Sequence, residues 1–294
     1  MAERVDKGWQ AKGIEAYSNE AILGTLSHYG VTLDEAGFKQ LAADEFPLAM
    51  AQLWHQRWKG TGQFSRFPAA AAEELWHRLC DGAVAPTDLT LALIKLLGAL
   101  NAALEGKPDD GTRDTRFKVV EAYLEKLSAG GLRRDKFIAE MTAALGDELG
   151  EAVDHLAEAL ARKGQPELAE RFVAIEEKLF PVRAGSARAM VKAAAGDAEG
   201  AATELTHLAQ DTSRDALARL SAVDGLIELG RLEVAKSVTL ELVERSAQEK
   251  DLELGTEAVT RLTRLLKADP KMKDREALRK RVEALAAALG PAGE

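Results

Sequence analysis

Cysteine is nearly absent from the sequence, which has only Cys80 among its 294 residues. A single thiol cannot close a disulfide within the chain, and it cannot provide a zinc site made of several cysteines. Both classes of cross-linked fold are therefore excluded. The same scarcity fits a reducing compartment, so the expected localisation is cytoplasmic.

Aromatic and β-branched side chains are also scarce. Aromatic residues make up 5% of the chain, whereas hydrophobic residues make up 46% and charged residues 30%. This balance is typical of a globular protein, and the abundance of Ala, Leu, Glu, Lys and Arg favours helices. An all-β sandwich and a parallel sheet rich in valine and isoleucine are disfavoured. The predicted fold class is all-α.

The sequence has no uninterrupted apolar run of membrane-spanning length. The most apolar window, residues 89–104, contains Lys95 and is shorter than the roughly 20 residues that a spanning helix needs. The N-terminal residues are charged and lack the apolar segment of a signal peptide. A net charge of −9 argues against nucleic acid as a partner. We expect neither membrane insertion nor nucleic-acid binding.

The common catalytic and metal-binding motifs are missing. The five histidines include no His-Glu-x-x-His pair, and the chain has neither a Gly-x-Ser-x-Gly elbow nor a phosphate-binding loop ending in Gly-Lys-Ser/Thr. We therefore expect no catalytic residues, no metal and no cofactor. The protein is predicted not to be an enzyme.

One pattern in the first hundred residues leaves an alternative open. Trp54-His55 recurs 22 residues later as Trp76-His77, and the two pairs could face each other across adjacent helices. The favoured interpretation is that the indoles are buried in the core and the histidines lie at helix edges. All four tryptophans lie in this region, so the alternative function is an enzyme or small-ligand-binding protein with its site there.

A stretch rich in glycine, proline and aspartate divides the sequence. Residues 106–114 form the clearest linker, so the predicted organisation is a tryptophan-containing helical domain over 1–105 and a second helical region over 115–290. These boundaries follow from local composition alone.

Helix-capping signals recur on both sides of this linker. Ser18 is predicted to cap a first helix, and a capping box beginning at Thr32 is predicted to open the next. Further along, helices are predicted over Arg133–Leu145 and Pro166–Leu179, among others. The chain is predicted to be helical from end to end.

A turn with the pattern Gly-x-x-x-x-Ala recurs three times in the second region. Its glycines are 32 and 34 residues apart, and each turn joins two predicted helices. Glycine ends the first helix, and an alanine one turn into the second lets the two helices approach closely. The three turns run from Gly164 to Ala169, from Gly196 to Ala201 and from Gly230 to Ala235.

These turns resemble those of tetratricopeptide repeats, over about residues 149–250. Leu156, Ala157 and Leu160 fall where that family packs the first helix of a unit, and Pro181 falls where the second helix ends. Later units depart from the family pattern, since they lack the corresponding proline. The resemblance implies an α-solenoid of antiparallel helix hairpins. A generic helical bundle with hairpins of similar length is the alternative.

The resemblance also implies a binding site and a function. First helices in that family line a concave groove that holds peptides or proteins, and most of the matching positions here are acidic. The implied function is a non-catalytic scaffold or adaptor, with a basic or amphipathic protein segment as the expected partner. The matching partner-binding positions are Glu151, Asp154, Glu158, Arg162, Met190, Asp224, Ile227 and Glu228.

A basic stretch near the C-terminal end has three interpretations. Residues 261–281 contain nine lysines and arginines against three acidic residues. This stretch is a docking patch for an acidic partner or for the chain's own acidic surface in a dimer, a solvated helical hairpin, or an internal source of positive charge for the acidic groove positions. The sequence alone favours the solvated hairpin over the docking patch.

Overall fold

A computed structural model describes residues 4–128, 133–145 and 147–289. Helices account for 76% of the chain, and the described part contains 16 α-helices and no strand. The prediction of an all-α fold is confirmed.

The helices are numbered in chain order. Those of the first half are α1 (Trp9–Lys12), α2 (Asn19–His28), α3 (Glu35–Asp44), α4 (Pro47–His55), α5 (Phe67–Leu79), α6 (Pro86–Leu104), α7 (Arg113–Ser128) and α8 (Arg133–Leu145). Those of the second half are α9 (Asp147–Arg162), α10 (Pro166–Leu179), α11 (Ser186–Ala194), α12 (Ala198–Gln210), α13 (Ala216–Glu228), α14 (Leu232–Glu249), α15 (Leu252–Ala268) and α16 (Arg275–Leu289).

The chain divides into two compact units. Unit 1 comprises residues 1–102 and 108–152, and unit 2 comprises residues 103–107 and 153–294. The main division therefore falls within α9, well after the linker predicted at 106–114. The structure thus divides the chain differently from the composition-based boundary.

Side-chain packing explains why α8 belongs to unit 1. The ring of Phe137 on α8 meets that of Phe46 edge-on, with centroids 5.3 Å apart. One helical turn later, the Glu140 carboxylate accepts a hydrogen bond of 3.1 Å from the amide of Ala49, at the start of α4. A loop rich in glycine and proline marks a turn, but it does not show which helices pack together afterwards.

Aromatic rings dominate the core of unit 1. Trp58 stacks on Phe67 with ring centroids 5.9 Å apart, and Trp9 meets the same phenyl ring edge-on at 5.3 Å. Trp76 is 1% exposed and packs against Phe46 at 5.5 Å. Rings in these geometries attract each other, and this attraction adds to the stabilisation gained by burying their apolar surface.

The start of α2 agrees with its predicted cap, whereas the start of α3 does not. The Ser18 hydroxyl accepts a hydrogen bond of 3.1 Å from the amide of Ala21, as an N-cap should. Asp34, and not Thr32, caps α3, since its carboxylate accepts from the amide of Gly37 at 2.7 Å. Aspartate is the better acceptor at this position, which explains the difference.

Helix α6 is longer than the apolar window predicted within it. With 19 residues it is long and apolar enough to cross a membrane, and half of its apolar window is buried inside the protein. The argument from insufficient length is therefore wrong for this segment. Leu89, Leu93, Leu96 and Leu100 are buried, whereas Leu91 and Ile94 are exposed.

Three equivalent turns connect helices of unit 2. Gly164, Gly196 and Gly230 have φ angles of 74°, 111° and 72°. Each glycine amide donates to the carbonyl three residues before it, and the following amide donates to the carbonyl five residues before itself. This pair of hydrogen bonds closes a helix end and needs a left-handed residue, which glycine provides without a steric penalty. The predicted role of these glycines is confirmed.

The alanines that follow these turns are completely buried. Ala169, Ala201 and Ala235 are each 0% exposed. From α10 to α16, each helix packs against the next one, and α13 also contacts α11 and α15. Complete burial of such small side chains agrees with the predicted close approach of the helices.

A buried arginine ties three helices of unit 2 together. Arg219 on α13 is 1% exposed and donates from Nε to the carbonyl of Ala209 at 2.8 Å, near the end of α12. Its two terminal nitrogens donate to both carboxylate oxygens of Glu241 on α14, each at 2.9 Å. This fork satisfies one of the last carbonyls of α12 and neutralises the buried guanidinium.

Candidate functional site

A groove of about 600 Å³ lies in unit 2. Most of its lining comes from α9, α11, α13 and α15, and the short 3-10 turn Pro181–Arg183 contributes two side chains. Residues of α13 line it at spacings of three, four and seven, which places them on one face of that helix. These α13 residues are Leu217, Ser221, Asp224, Gly225 and Glu228.

Half of the partner-binding positions implied by the resemblance meet in this groove. They come from three separate helices, namely α9, α11 and α13, so the packing of unit 2 is what brings them together. The four positions that line the groove are Glu158, Met190, Asp224 and Glu228.

The other four positions lie elsewhere or are not described. Arg162 is not part of the lining, and its side chain is 61% exposed while it pairs with Glu158 at 2.7 Å. Ile227 is half-buried and packs on the apolar core of unit 2. The side chains of Glu151 and Asp154 lie outside the described residues, although both positions belong to α9.

Helix α15 supplies arginines to one wall of the groove. Arg261 donates from Nη2 to Asp224 at 2.8 Å and also pairs with Glu257 on its own helix. Arg264 pairs with Asp224 as well, and its second terminal nitrogen lies 3.8 Å from a carboxylate oxygen of Glu228. Asp224 is therefore held by two guanidinium groups. At Asp224, residues of the basic stretch 261–281 therefore act as an internal source of positive charge for the groove.

The α9 wall of the groove is built around Glu158. This residue is 8% exposed, and burial raises the pKa of its carboxyl. The negative charge of Glu228 raises that pKa further, whereas Arg162, His155 and Arg183 lower it. The carboxyl group is thus in a place where negative charge is costly, and a nearby cation would stabilise its ionised form.

Polar groups between these walls are joined to each other. The Ser186 hydroxyl donates to the carbonyl of Arg183 at 2.8 Å, so the Ser221 hydroxyl donates to Ser186 across 2.7 Å. Arg183 also forms an ion pair of 3.1 Å with Glu176, whose side chain is 2% exposed. These contacts link the 3-10 turn to α10, α11 and α13 and fix the shape of the groove.

Sequence reasoning missed several groove residues. Neither the serine pair nor Arg183 belongs to a motif, so nothing in the local sequence points to them. Arg261 and Arg264 were visible as members of a basic stretch, three residues apart and therefore on one helix face. The stacking of α15 beside α13 decides that they face Asp224.

The tryptophans of unit 1 are engaged in its core. Trp54 is 5% exposed and Trp76 is 1% exposed, whereas His55 and His77 lie at the surface. The indole N–H of Trp58 donates to the carbonyl of Phe64 at 3.0 Å. Within the ranges that the structure describes, no group of three or more His, Cys, Asp or Glu residues could hold a metal ion. This arrangement favours packing as the role of the Trp-His pairs.

Comparison with known proteins gives no family for this chain. No protein-family model matches it, and neither a curated protein nor a solved structure matches it significantly. The candidate site therefore has to be interpreted from its own geometry.

Proposed function

We propose that unit 2 is a solenoid of tetratricopeptide-like hairpins whose groove binds a segment of another protein. In this proposal the protein is a non-catalytic scaffold or adaptor of the cytoplasm. The observation that carries it is the meeting of Glu158, Met190, Asp224 and Glu228 in one groove, because the repeat resemblance implies all four as partner-binding positions.

The arrangement of the helices supports the repeat interpretation. The groove is lined mainly by the helix that precedes each glycine turn, namely α9, α11 and α13, and by the next alternate helix, α15. Stacked hairpins present their first helices on one face in this way. Contact of α13 with both α11 and α15 is what such stacking requires.

The chemistry of the lining supports binding of a protein segment. Carboxylates in the groove are paired with arginines, as at Asp224, and Val182 offers a partly exposed apolar surface. A mixture of charged and apolar groups along several helices is suited to an extended partner with both kinds of side chain. The competing site in unit 1 loses support because its indoles are buried among other rings.

Site-specific photocrosslinking tests this proposal. A photoreactive phenylalanine analogue replaces Val182, which is 42% exposed and lines the groove. The matched control carries the same analogue at Ala174, an exposed position of α10 outside the groove. Irradiation in native cells should give a discrete crosslinked protein at Val182 and not at Ala174. Equal crosslinking at both positions would contradict the proposal.

A further inference from the structure

Negative charge exceeds positive charge in the groove of unit 2. Its lining contains six carboxylate side chains and three arginines. A surplus of one sign inside a concave surface attracts ligands of the opposite sign and repels others. Charge complementarity therefore favours a cationic occupant.

The internal arginines are placed unevenly among these carboxylates. Arg261 and Arg264 both hold Asp224, and Arg183 holds Glu176. At the α9 wall the cation nearest to Glu158 is Arg162, whose side chain is 61% exposed and lies outside the lining. Glu158 is thus paired with an exposed arginine from outside the groove lining.

Glu228 belongs to the same part of the groove. Both residues line the groove, and the negative charge of Glu228 adds to burial in raising the pKa of the Glu158 carboxyl. The contact of Glu228 with Arg264 is long, at 3.8 Å, and both side chains are more than two-fifths exposed. An incoming cation can therefore approach Glu228 without breaking a short hydrogen bond.

Apolar side chains lie beside these two carboxylates. Val182, Ala187 and Met190 line the groove together with Glu158. Val182 is 42% exposed, so part of its side chain is open to contact in the groove. The volume of about 600 Å³ accommodates a few side chains rather than a whole helix.

We propose that the groove recognises a short segment carrying one arginine or lysine, whose cationic group binds between Glu158 and Glu228. Neighbouring apolar side chains of that segment cover Val182 and Met190. This inference rests on the proposed function, because it names the chemistry of the segment that the groove would bind.

A peptide array measures the preference directly. Capped seven-residue peptides with varied flanking residues carry arginine, citrulline or glutamate at the centre, and the full-length protein is the probe. Citrulline keeps the shape of arginine and lacks its charge. The best arginine peptide should bind about tenfold more tightly in solution than the matching citrulline peptide. The coupling energies of close charge pairs at interfaces correspond to at least this difference in affinity.

Variants of the groove locate the effect. Glu158→Gln combined with Glu228→Gln should abolish the preference for arginine over citrulline. Glu167→Gln, at an exposed position of α10 outside the groove, should leave it intact. Circular dichroism melting curves establish that the variants are folded. Loss of the preference in Glu167→Gln as well would overturn the assignment to Glu158 and Glu228.

The dependence of binding on pH gives a second readout. Binding of a cation favours the ionised form of Glu158, so affinity for the arginine peptide should rise as pH rises through the elevated pKa of this carboxyl. The charged groups that face Glu158 are Glu228, Arg162, His155 and Arg183. The rise should disappear in Glu158→Gln and persist in His155→Gln. Persistence in Glu158→Gln would contradict the proposed position of the cation.

The outcomes separate this inference from the proposed function. Peptides that crosslink at Val182 but bind equally with arginine and citrulline would overturn the cation site and leave the peptide groove standing. Failure of every peptide class, together with no crosslinked protein, would overturn both. Concentration-dependent self-association that Glu158→Gln and Glu228→Gln abolish would show that a second copy of the chain occupies the groove, which also contradicts the inference.

Discussion

Unit 1 and unit 2 stabilise their helices by different means. All four tryptophans lie in unit 1, where they pack with phenylalanines from several helices, and the helices there are joined by loops of varied length. Unit 2 contains only two aromatic residues after position 153, Phe172 and Phe180. Its core consists mainly of alanine, leucine and valine, and three equivalent glycine turns connect its helices.

This difference explains where charged residues can face inward. Large rings fill space irregularly, so unit 1 forms a closed aromatic core. In unit 2, charged side chains from α9, α11, α13 and α15 instead line a groove. The candidate site therefore lies in unit 2, the unit that contains the three equivalent glycine turns.

The largest expected effect comes from removing a ring of unit 1. Trp76→Ala should destabilise the protein by about 3–5 kcal/mol, because Trp76 is 1% exposed and its neighbours cannot fill the cavity that removal of the indole leaves. Thermal unfolding followed by circular dichroism measures the change. Phe172→Ala provides the comparison in unit 2, since Phe172 is also fully buried. No loss of stability in Trp76→Ala would refute the aromatic-core description.

A smaller loss is expected from the buried ion pair of unit 2. Arg219→Ala should cost about 2–3 kcal/mol, since it leaves a carbonyl of α12 without its donor and removes a buried stem. The partner Glu241 is half exposed, which limits the charge contribution. Arg231→Ala, in a surface pair with Glu199, should cost less than about 1 kcal/mol. Similar losses in urea titrations of both variants would contradict this ranking.

Overpacking a turn alanine should have an effect of about the same size or less. Ala235→Leu should cost about 1–3 kcal/mol, because Ala235 is 0% exposed between packed helices. The analogous changes at Ala169 and Ala201 should behave in the same way, whereas Ala174→Leu, at an exposed position, should be near neutral. Unchanged melting temperatures for all three buried variants would argue against closely packed hairpins.

The smallest effect is a dependence of stability on pH in unit 1. Burial raises the pKa of Glu140 in the folded state above its unfolded value. The folded state then binds the proton more tightly, so this group lowers stability as pH rises from the unfolded pKa to the folded one. Glu140→Gln keeps an oxygen for the amide of Ala49 and should flatten that part of the pH profile. A profile identical to wild type in urea titrations would contradict this.

Local features of the fold could be predicted from the sequence. The predicted bounds Arg133–Leu145 and Pro166–Leu179 match α8 and α10 at both ends, because capping residues, proline and glycine act within a few residues of themselves. The positive φ angles of the three turn glycines follow from the same local chemistry.

Long-range features could not be predicted in the same way. Arg261 and Asp224 are 37 residues apart, so their ion pair depends on how α15 stacks beside α13. The repeat resemblance implies Ile227 as a groove position, but successive side chains of a helix point about 100° apart around its axis. Glu228 lines the groove, and Ile227 accordingly faces the core. Four of the positions that the resemblance implies line this groove, whereas the arginines that pair with Asp224 are brought there by helix stacking.

The most direct test of the account is the association rate constant of the partner captured through Val182. It would be measured for wild type and for Glu158→Lys combined with Glu228→Lys, at about 10 mM and about 150 mM salt, where screening lengths are about 30 Å and 8 Å. The account predicts that salt slows wild-type association and that the double variant associates slowly at both concentrations. An unchanged rate in the folded double variant at low salt would contradict the account and place the binding surface outside the groove.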